Sequence, residues 1–105
     1  MDRSASGIAR CIRLAREGHA DALGALLETY RNYLRLMAAA CLHRDLKGKA
    51  DPSDVVQETL LKVHEGFGQF RGTTEGEWVA WLRRILVNNL VDLQRRFAAP
   101  GRQID

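Results

Sequence analysis

The chain has 105 residues, with 16 lysines and arginines against 13 aspartates and glutamates, a formal net charge of +3. The length indicates one domain, and the 46% apolar and 28% charged residues exclude a disordered tail or a collagen-like chain. No apolar run approaches the roughly 20 residues that cross a bilayer. Cys11 and Cys41 belong to no paired framework and no signal peptide is evident, so we expect reduced thiols in a cytoplasmic protein.

The fold class is predicted to be all-α, a compact bundle of about four helices. β-branched residues are sparse, and no segment alternates with the period of a strand. The first helix is expected near residues 8–17, with Gly18 as its C-terminal stop. The second is expected over residues 20–43, with a buried stripe formed by Leu23, Leu27, Tyr30, Leu34, Met37 and Cys41.

Two more helices follow a break that ends at Asp51. The Asp51 carboxylate can cap free N–H groups, and Pro52 suits the first helical position because it has no N–H to leave unpaired. The apolar stripe that begins in the third helix comprises Val56, Leu60, Val63, Phe67 and Phe70. A fourth helix is expected over residues 75–98, with a stripe of Val79, Leu82, Leu86, Leu90, Leu93 and Phe97.

The fourth helix carries an aromatic residue among polar ones. Residues 81–96 hold four arginines and one aspartate. On a helical wheel, Trp81 lies opposite the leucines, and Trp78 lies at the flank of the core face. An indole beside guanidinium groups suits nucleic acid, because its face stacks on a base while the arginines hold phosphates. The alternative is that Trp81 covers the edge of the bundle and the arginines are only solvated. The residues that share its side of the wheel are Arg84, Asn88, Val91, Asp92 and Arg95.

The third helix has the opposite charge. Residues 51–65 hold one lysine and four acidic residues, and this acidity favours a basic protein partner over DNA. A solvated surface is the alternative, because Asp54 near the helix N-terminus also interacts favourably with the helix dipole. The face comprises Asp54, Gln57, Glu58, Leu61 and Glu65.

The residues do not predict an enzyme or a cofactor. There is no glycine-rich phosphate loop, and His64 has no nucleophile at a triad-like position. Cys41 and His43, followed by Asp45, come nearest to a metal cluster, but this spacing is a weak signal and Cys41 belongs to the apolar stripe. We therefore expect no metal site, no cofactor and no catalytic residue.

Three blocks in order resemble bacterial RNA polymerase sigma factors of the extracytoplasmic-function (ECF) subfamily. The segment DPSDVVQET at residues 51–59 resembles the polymerase-binding segment, with its D-x-x-Q-E signature at Asp54, Gln57 and Glu58. QFRG at residues 69–72 and WLRRILVNNLVDLQRR at residues 81–96 are similar to the later motifs. The resemblance covers residues 18–98 and implies a region-two domain over residues 1–99, with the interdomain linker beginning at 100–105.

The resemblance implies two partners. One is core RNA polymerase, whose largest subunit would offer its clamp helices to Asp54, Gln57, Glu58 and Leu61. The other is promoter DNA, whose −10 element this region recognises and melts, with the loop at residues 71–77 capturing a flipped base of the single-stranded non-template strand. An anti-sigma factor is a further possible partner. The implied DNA-binding residues are Phe70, Arg71, Thr73, Thr74, Trp78, Trp81, Arg84, Asn88 and Arg95.

The sequence departs from the family pattern in three respects. His64 stands where many relatives carry Trp or Tyr, and the loop carries Glu75 and Glu77 in a DNA-facing position unless these acids cap the fourth helix. The family's second domain, a helix-turn-helix that reads the −35 element, has no counterpart in the 105 residues. The alternatives in function are a small helical protein-interaction module and a simple helix-turn-helix DNA binder, which would need a tighter turn than residues 66–76 offer.

Overall fold

A computed structural model describes residues 3–45 and 50–98, and these residues form four α-helices and one short 3₁₀ turn. The helices are α1 (Arg3–Arg16), α2 (Ala20–Asp45), α3 (Pro52–Gly66) and α4 (Glu75–Ala98), and the 3₁₀ turn (Phe67–Gln69) directly follows α3. The described residues contain no strand, so the all-α prediction is confirmed. The predicted boundary at residues 99 and 100 lies outside the described residues.

Local signals set the helix ends. Gly18 has a φ of 97°, in the left-handed region that glycine adopts without steric cost, and it separates α1 from α2. At the start of α3 the Asp51 side chain accepts a hydrogen bond of 2.8 Å from the Ser53 N–H, and Pro52 follows as the first helical residue. Both predicted boundaries are confirmed.

The core lies where α2 packs against α1 and α3, and α4 closes the bundle on α3. The predicted stripe of α3 is buried throughout, whereas the one predicted for α2 is displaced. Leu23, Leu27, Met37 and Cys41 are only half-buried, because α2 faces two neighbouring helices and its centre of burial lies between them. The buried residues of α2 are Ala22, Leu26, Tyr30, Leu34, Ala38 and Leu42.

Burial along α4 decreases towards its C-terminal end. Leu82 and Leu86 are completely enclosed, Leu90 and Leu93 are half-buried, and Phe97 is exposed. Helix α4 is therefore anchored by its first half. None of the helices in the described part of the chain combines the length and the hydrophobicity needed to span a membrane.

Candidate nucleic-acid interface

An open groove of about 990 Å³ runs between the C-terminal part of α3, the segment that follows it, and the outer side of α4. It is deep enough to hold planar groups, and its walls combine aromatic, amide and charged side chains. Its main side chains are those of Lys62, Gln69, Phe70, Arg71, Glu77, Trp81, Arg84, Ile85, Asn88 and Asp92.

Trp81 is half-buried at the edge of this groove. Its ring stacks on Phe70 with the centroids 4.9 Å apart and the planes 27° from parallel, an offset arrangement that aromatic pairs favour. The Trp81 ring also lies against the backbone of Gly66, where an added Cβ would be 3.7 Å from Cζ2. The indole is thus held in place by the core while part of its surface remains open to the groove.

Trp78 lies in the core, so its predicted position at the flank is wrong. Its exposure is 0% and its indole nitrogen has no hydrogen-bond partner. The wheel treated α4 alone, whereas the chain after α3 returns across the first turn of α4. Phe67 and Phe70 lie with their ring centroids 6.0 Å and 5.4 Å from that of Trp78 and cover it. Nucleic acid cannot reach this side chain in the folded domain, so a direct DNA contact by Trp78 is not carried forward.

The loop before α4 is built around Glu77. Its carboxylate accepts hydrogen bonds from the N–H groups of Thr73 and Thr74, at 2.8 Å and 3.1 Å, and from the Thr74 hydroxyl. The Thr74 hydroxyl accepts in return from the Glu77 N–H at 3.1 Å, which completes a capping box. These bonds, the one from the Thr73 backbone first, hold the pKa of the Glu77 carboxyl below its ordinary value.

Glu75, the other acidic residue of the loop, is also used inside the fold. It accepts a hydrogen bond of 2.6 Å from the hydroxyl of Tyr30 on α2. Burial, and then the Glu75 carboxylate, raise the pKa of Tyr30, so the phenol remains a donor at neutral pH. Both acids therefore support the loop and the start of α4, in agreement with the capping alternative.

Most of the other predicted DNA-binding residues are placed at or near the groove. Phe70, Arg71, Trp81, Arg84 and Asn88 line it. Thr73 and Thr74 are exposed in the loop, although the Thr74 hydroxyl is committed to the cap. Arg95 is exposed farther along α4, beyond the residues that line the groove.

A chain of hydrogen bonds that the sequence reasoning missed joins α3 to α4 beneath the groove. Lys62 Nζ donates to Asn89 Oδ1 at 2.7 Å, and Asn89 Nδ2 donates to the Thr59 hydroxyl at 2.8 Å. That hydroxyl donates to the Val55 carbonyl oxygen at 2.8 Å. Asn89 and Thr59 are buried, and the signal that could have found them is a polar residue on each apolar face.

The predicted protein-binding face of α3 is divided into two parts. Asp54 and Glu58 line a hollow of about 270 Å³ that they share with Arg96 of α4. Gln57 and Leu61 are exposed outside the hollow, and Leu61 has 56% of its surface open to solvent. The face thus offers carboxylates beside an exposed apolar side chain.

Among the residues that the structure describes, no three His, Cys, Asp or Glu side chains come together as metal ligands would. The family model described as Sigma-70 region 2 matches residues 29–99 of the chain. This match includes α3, the loop and α4, together with most of α2. No solved structure matches the chain.

Proposed function

The chain belongs to the sigma-70 region 2 family, and we propose that it serves as the region-two module of an ECF sigma factor. The family is one of transcription factors and supports a role in promoter recognition and core polymerase binding. The finer assignments rest on the two surfaces of this chain and on the ECF motifs in its sequence.

The observation that carries the DNA-binding proposal is the half-buried Trp81 stacked on Phe70 at the edge of an open groove. An unstacked base needs an aromatic surface, donors for its edge and cations for its phosphates. The groove offers all three, because Arg84 and Asn88 stand beside the indole on the same side of α4. We infer that this groove receives the melted non-template strand of the −10 element.

Base capture requires the protein to offset the cost of unstacking. Extruding a base costs a few kcal/mol, and stacking on an aromatic side chain returns about 1–3 kcal/mol per base. Arg71 and Thr73 are exposed in the loop beside the groove, where they are available to an extruded base or its phosphate. Arg84 and, farther along the helix, Arg95 would hold the backbone.

The second surface is proposed to bind core polymerase. Asp54, Gln57, Glu58 and Leu61 of α3 offer two carboxylates, an amide and an exposed apolar side chain, which suits a basic protein helix with an apolar edge and not a nucleic acid. We propose that the polymerase clamp helices dock here, so that the protein acts in the cytoplasm. An anti-sigma factor would inhibit it by covering either surface.

The DNA assignment is tested with Trp81→Ala. We expect its affinity for a short labelled single strand carrying a non-template −10 sequence to fall by about 1–3 kcal/mol, because one stacking surface is lost. Fluorescence anisotropy at two salt concentrations, with and without core polymerase, measures the change. Trp81→Phe retains a ring and should recover part of the affinity.

Val87→Ala is the matched control, because Val87 is 47% exposed on the same helix and does not line the groove. It should bind as the unmodified protein does. If Trp81→Ala left binding unchanged and duplex DNA bound as well as single strands, the simple helix-turn-helix alternative would replace this proposal.

A further inference from the structure

Arg16, in the last turn of α1, reaches across to the loop that precedes α4. Its Nη2 donates to the carbonyl oxygens of Phe70 and Gly72 at 3.1 Å and 2.8 Å. Its guanidinium carbon also lies 5.6 Å from the centroid of the Phe70 ring, within the range of a cation–π contact. One side chain thus links α1 to a segment more than fifty residues later in the chain.

The bonds to Gly72 and Thr73 act on a single peptide unit. Arg16 holds the carbonyl of the Gly72–Thr73 peptide, and the Glu77 carboxylate accepts from the N–H of that same peptide at 2.8 Å. Because a peptide unit is planar and rigid, two bonds on opposite edges fix its orientation. The unit is therefore clamped between α1 on one side and the capping box of α4 on the other.

Gly72 allows the clamp to close. A Cβ added at this position would lie 2.5 Å from Cζ of Phe70 and 2.7 Å from Cβ of Glu77, distances that packed atoms do not tolerate. The loop therefore lies directly on the aromatic cluster, and only a residue without a side chain brings its carbonyl into this position.

We propose that Arg16 is a positioning residue that orders the loop at residues 70–74 before DNA arrives, which makes α1 part of the promoter-capturing device. This inference rests on the proposed function. A loop that is already ordered does not lose its conformational freedom on binding, so more of the contact energy becomes affinity. The family match begins at residue 29 and assigns no role to α1.

A direct phosphate contact is the competing explanation for Arg16. The geometry disfavours it, because Arg16 lines a separate hollow with Ile12 and Thr73 and does not line the groove that holds Trp81. The two explanations also differ in their response to salt, since each lost phosphate contact lowers the salt dependence of binding by nearly one.

The test compares Arg16→Ala with Arg13→Ala. Both arginines lie in the last turn of α1, so the two variants lose the same charge, but the Arg13 side chain makes no hydrogen bond to a described residue. We expect Arg16→Ala to weaken binding of the −10 single strand about five- to tenfold with an unchanged salt slope, and Arg13→Ala to change it by less than about twofold. Arg16→Lys keeps the charge without the planar fork and should resemble Arg16→Ala.

Amide hydrogen exchange tests the same inference without DNA. In Arg16→Ala the Thr73 amide should exchange faster, while the amide of Leu34 in the core keeps its rate and shows that global stability is unchanged. Recovery of full affinity by Arg16→Lys, or a salt slope lowered by about one in Arg16→Ala, would overturn positioning and leave the proposed function intact. Unchanged exchange at Thr73 would also overturn it. Loss of DNA binding by the unmodified protein would instead contradict the proposed function, and faster Thr73 exchange would still support the clamp.

Discussion

Glu77 combines two tasks that the sequence made hard to separate. Its position in a loop expected to face DNA implied an anion in the path of phosphates, which would weaken binding. Its carboxylate instead accepts from the N–H groups of Thr73 and Thr74 and from the Thr74 hydroxyl. The charge is thus turned towards the helix N-terminus, where an anion is favourable.

Because these bonds favour the ionised form, they lower the pKa of Glu77 in the folded protein, and stability should depend on pH accordingly. The contribution is fully present above the ordinary pKa of a glutamate and is lost as pH falls through the lower folded-state value. Glu77→Gln keeps an acceptor for the cap but cannot titrate.

The measurement is urea unfolding of the unmodified protein and of Glu77→Gln over a series of acidic pH values. The advantage of the unmodified protein should be largest above the ordinary glutamate pKa and should shrink as the solution becomes more acidic. An advantage that stayed constant across this range would mean that the capping bonds do not depend on the carboxylate charge.

At the scale of elements, the seam between α3 and α4 is joined by the polar chain through Lys62, Asn89 and Thr59. A polar group in a helix interface favours one register, because any displacement leaves it buried without a partner. The same chain places the Lys62 ammonium at the edge of the groove, where it adds a cation that the sequence reasoning did not count.

Asn89→Ala should therefore destabilise the fold by about 1–3 kcal/mol, because it removes the partner of both Lys62 and Thr59. The neighbouring Asn88→Ala makes the same chemical change at an exposed position and should change the unfolding free energy by less than about 0.5 kcal/mol. Thermal and urea unfolding measure both. Equal stability of the two variants would show that the polar chain contributes nothing to the seam.

The elements were predictable from sequence where their signals are local. Gly18, Asp51 and Pro52 mark helix ends through their own backbone chemistry, so those ends were predicted correctly. Trp78 was misplaced because its burial depends on a segment that folds back over α4. The link from Arg16 to Gly72 spans 56 positions, and no periodicity reports such a contact.

At the scale of the molecule, α3 and α4 divide two surfaces between them. The groove takes Lys62 from α3 and Arg84 from α4, whereas the acidic hollow takes Glu58 from α3 and Arg96 from α4. Each surface is thus formed across the same rigid seam. Polymerase and DNA can occupy the two surfaces at once, which a promoter-melting module requires.

This arrangement predicts that the two binding activities can be removed separately. Glu58→Lys should lower capture of core polymerase at least about tenfold, because it reverses a charge in the docking face, while binding of the −10 single strand by the chain alone stays within about twofold. Leu61→Ala removes an exposed apolar contact without changing charge and should lower capture as well. A pull-down with immobilised core polymerase measures the first activity, and anisotropy measures the second.

Asp21→Lys is the control for charge, since it makes the same reversal at an exposed position of α2 outside both surfaces. Its capture of polymerase should equal that of the unmodified protein, and circular dichroism should show the same helicity in all three variants. Normal capture by both Glu58→Lys and Leu61→Ala would remove the polymerase from this face. Parallel loss of DNA binding in Glu58→Lys would mean that the seam transmits damage from the hollow to the groove, and the two surfaces would then have to be treated as one.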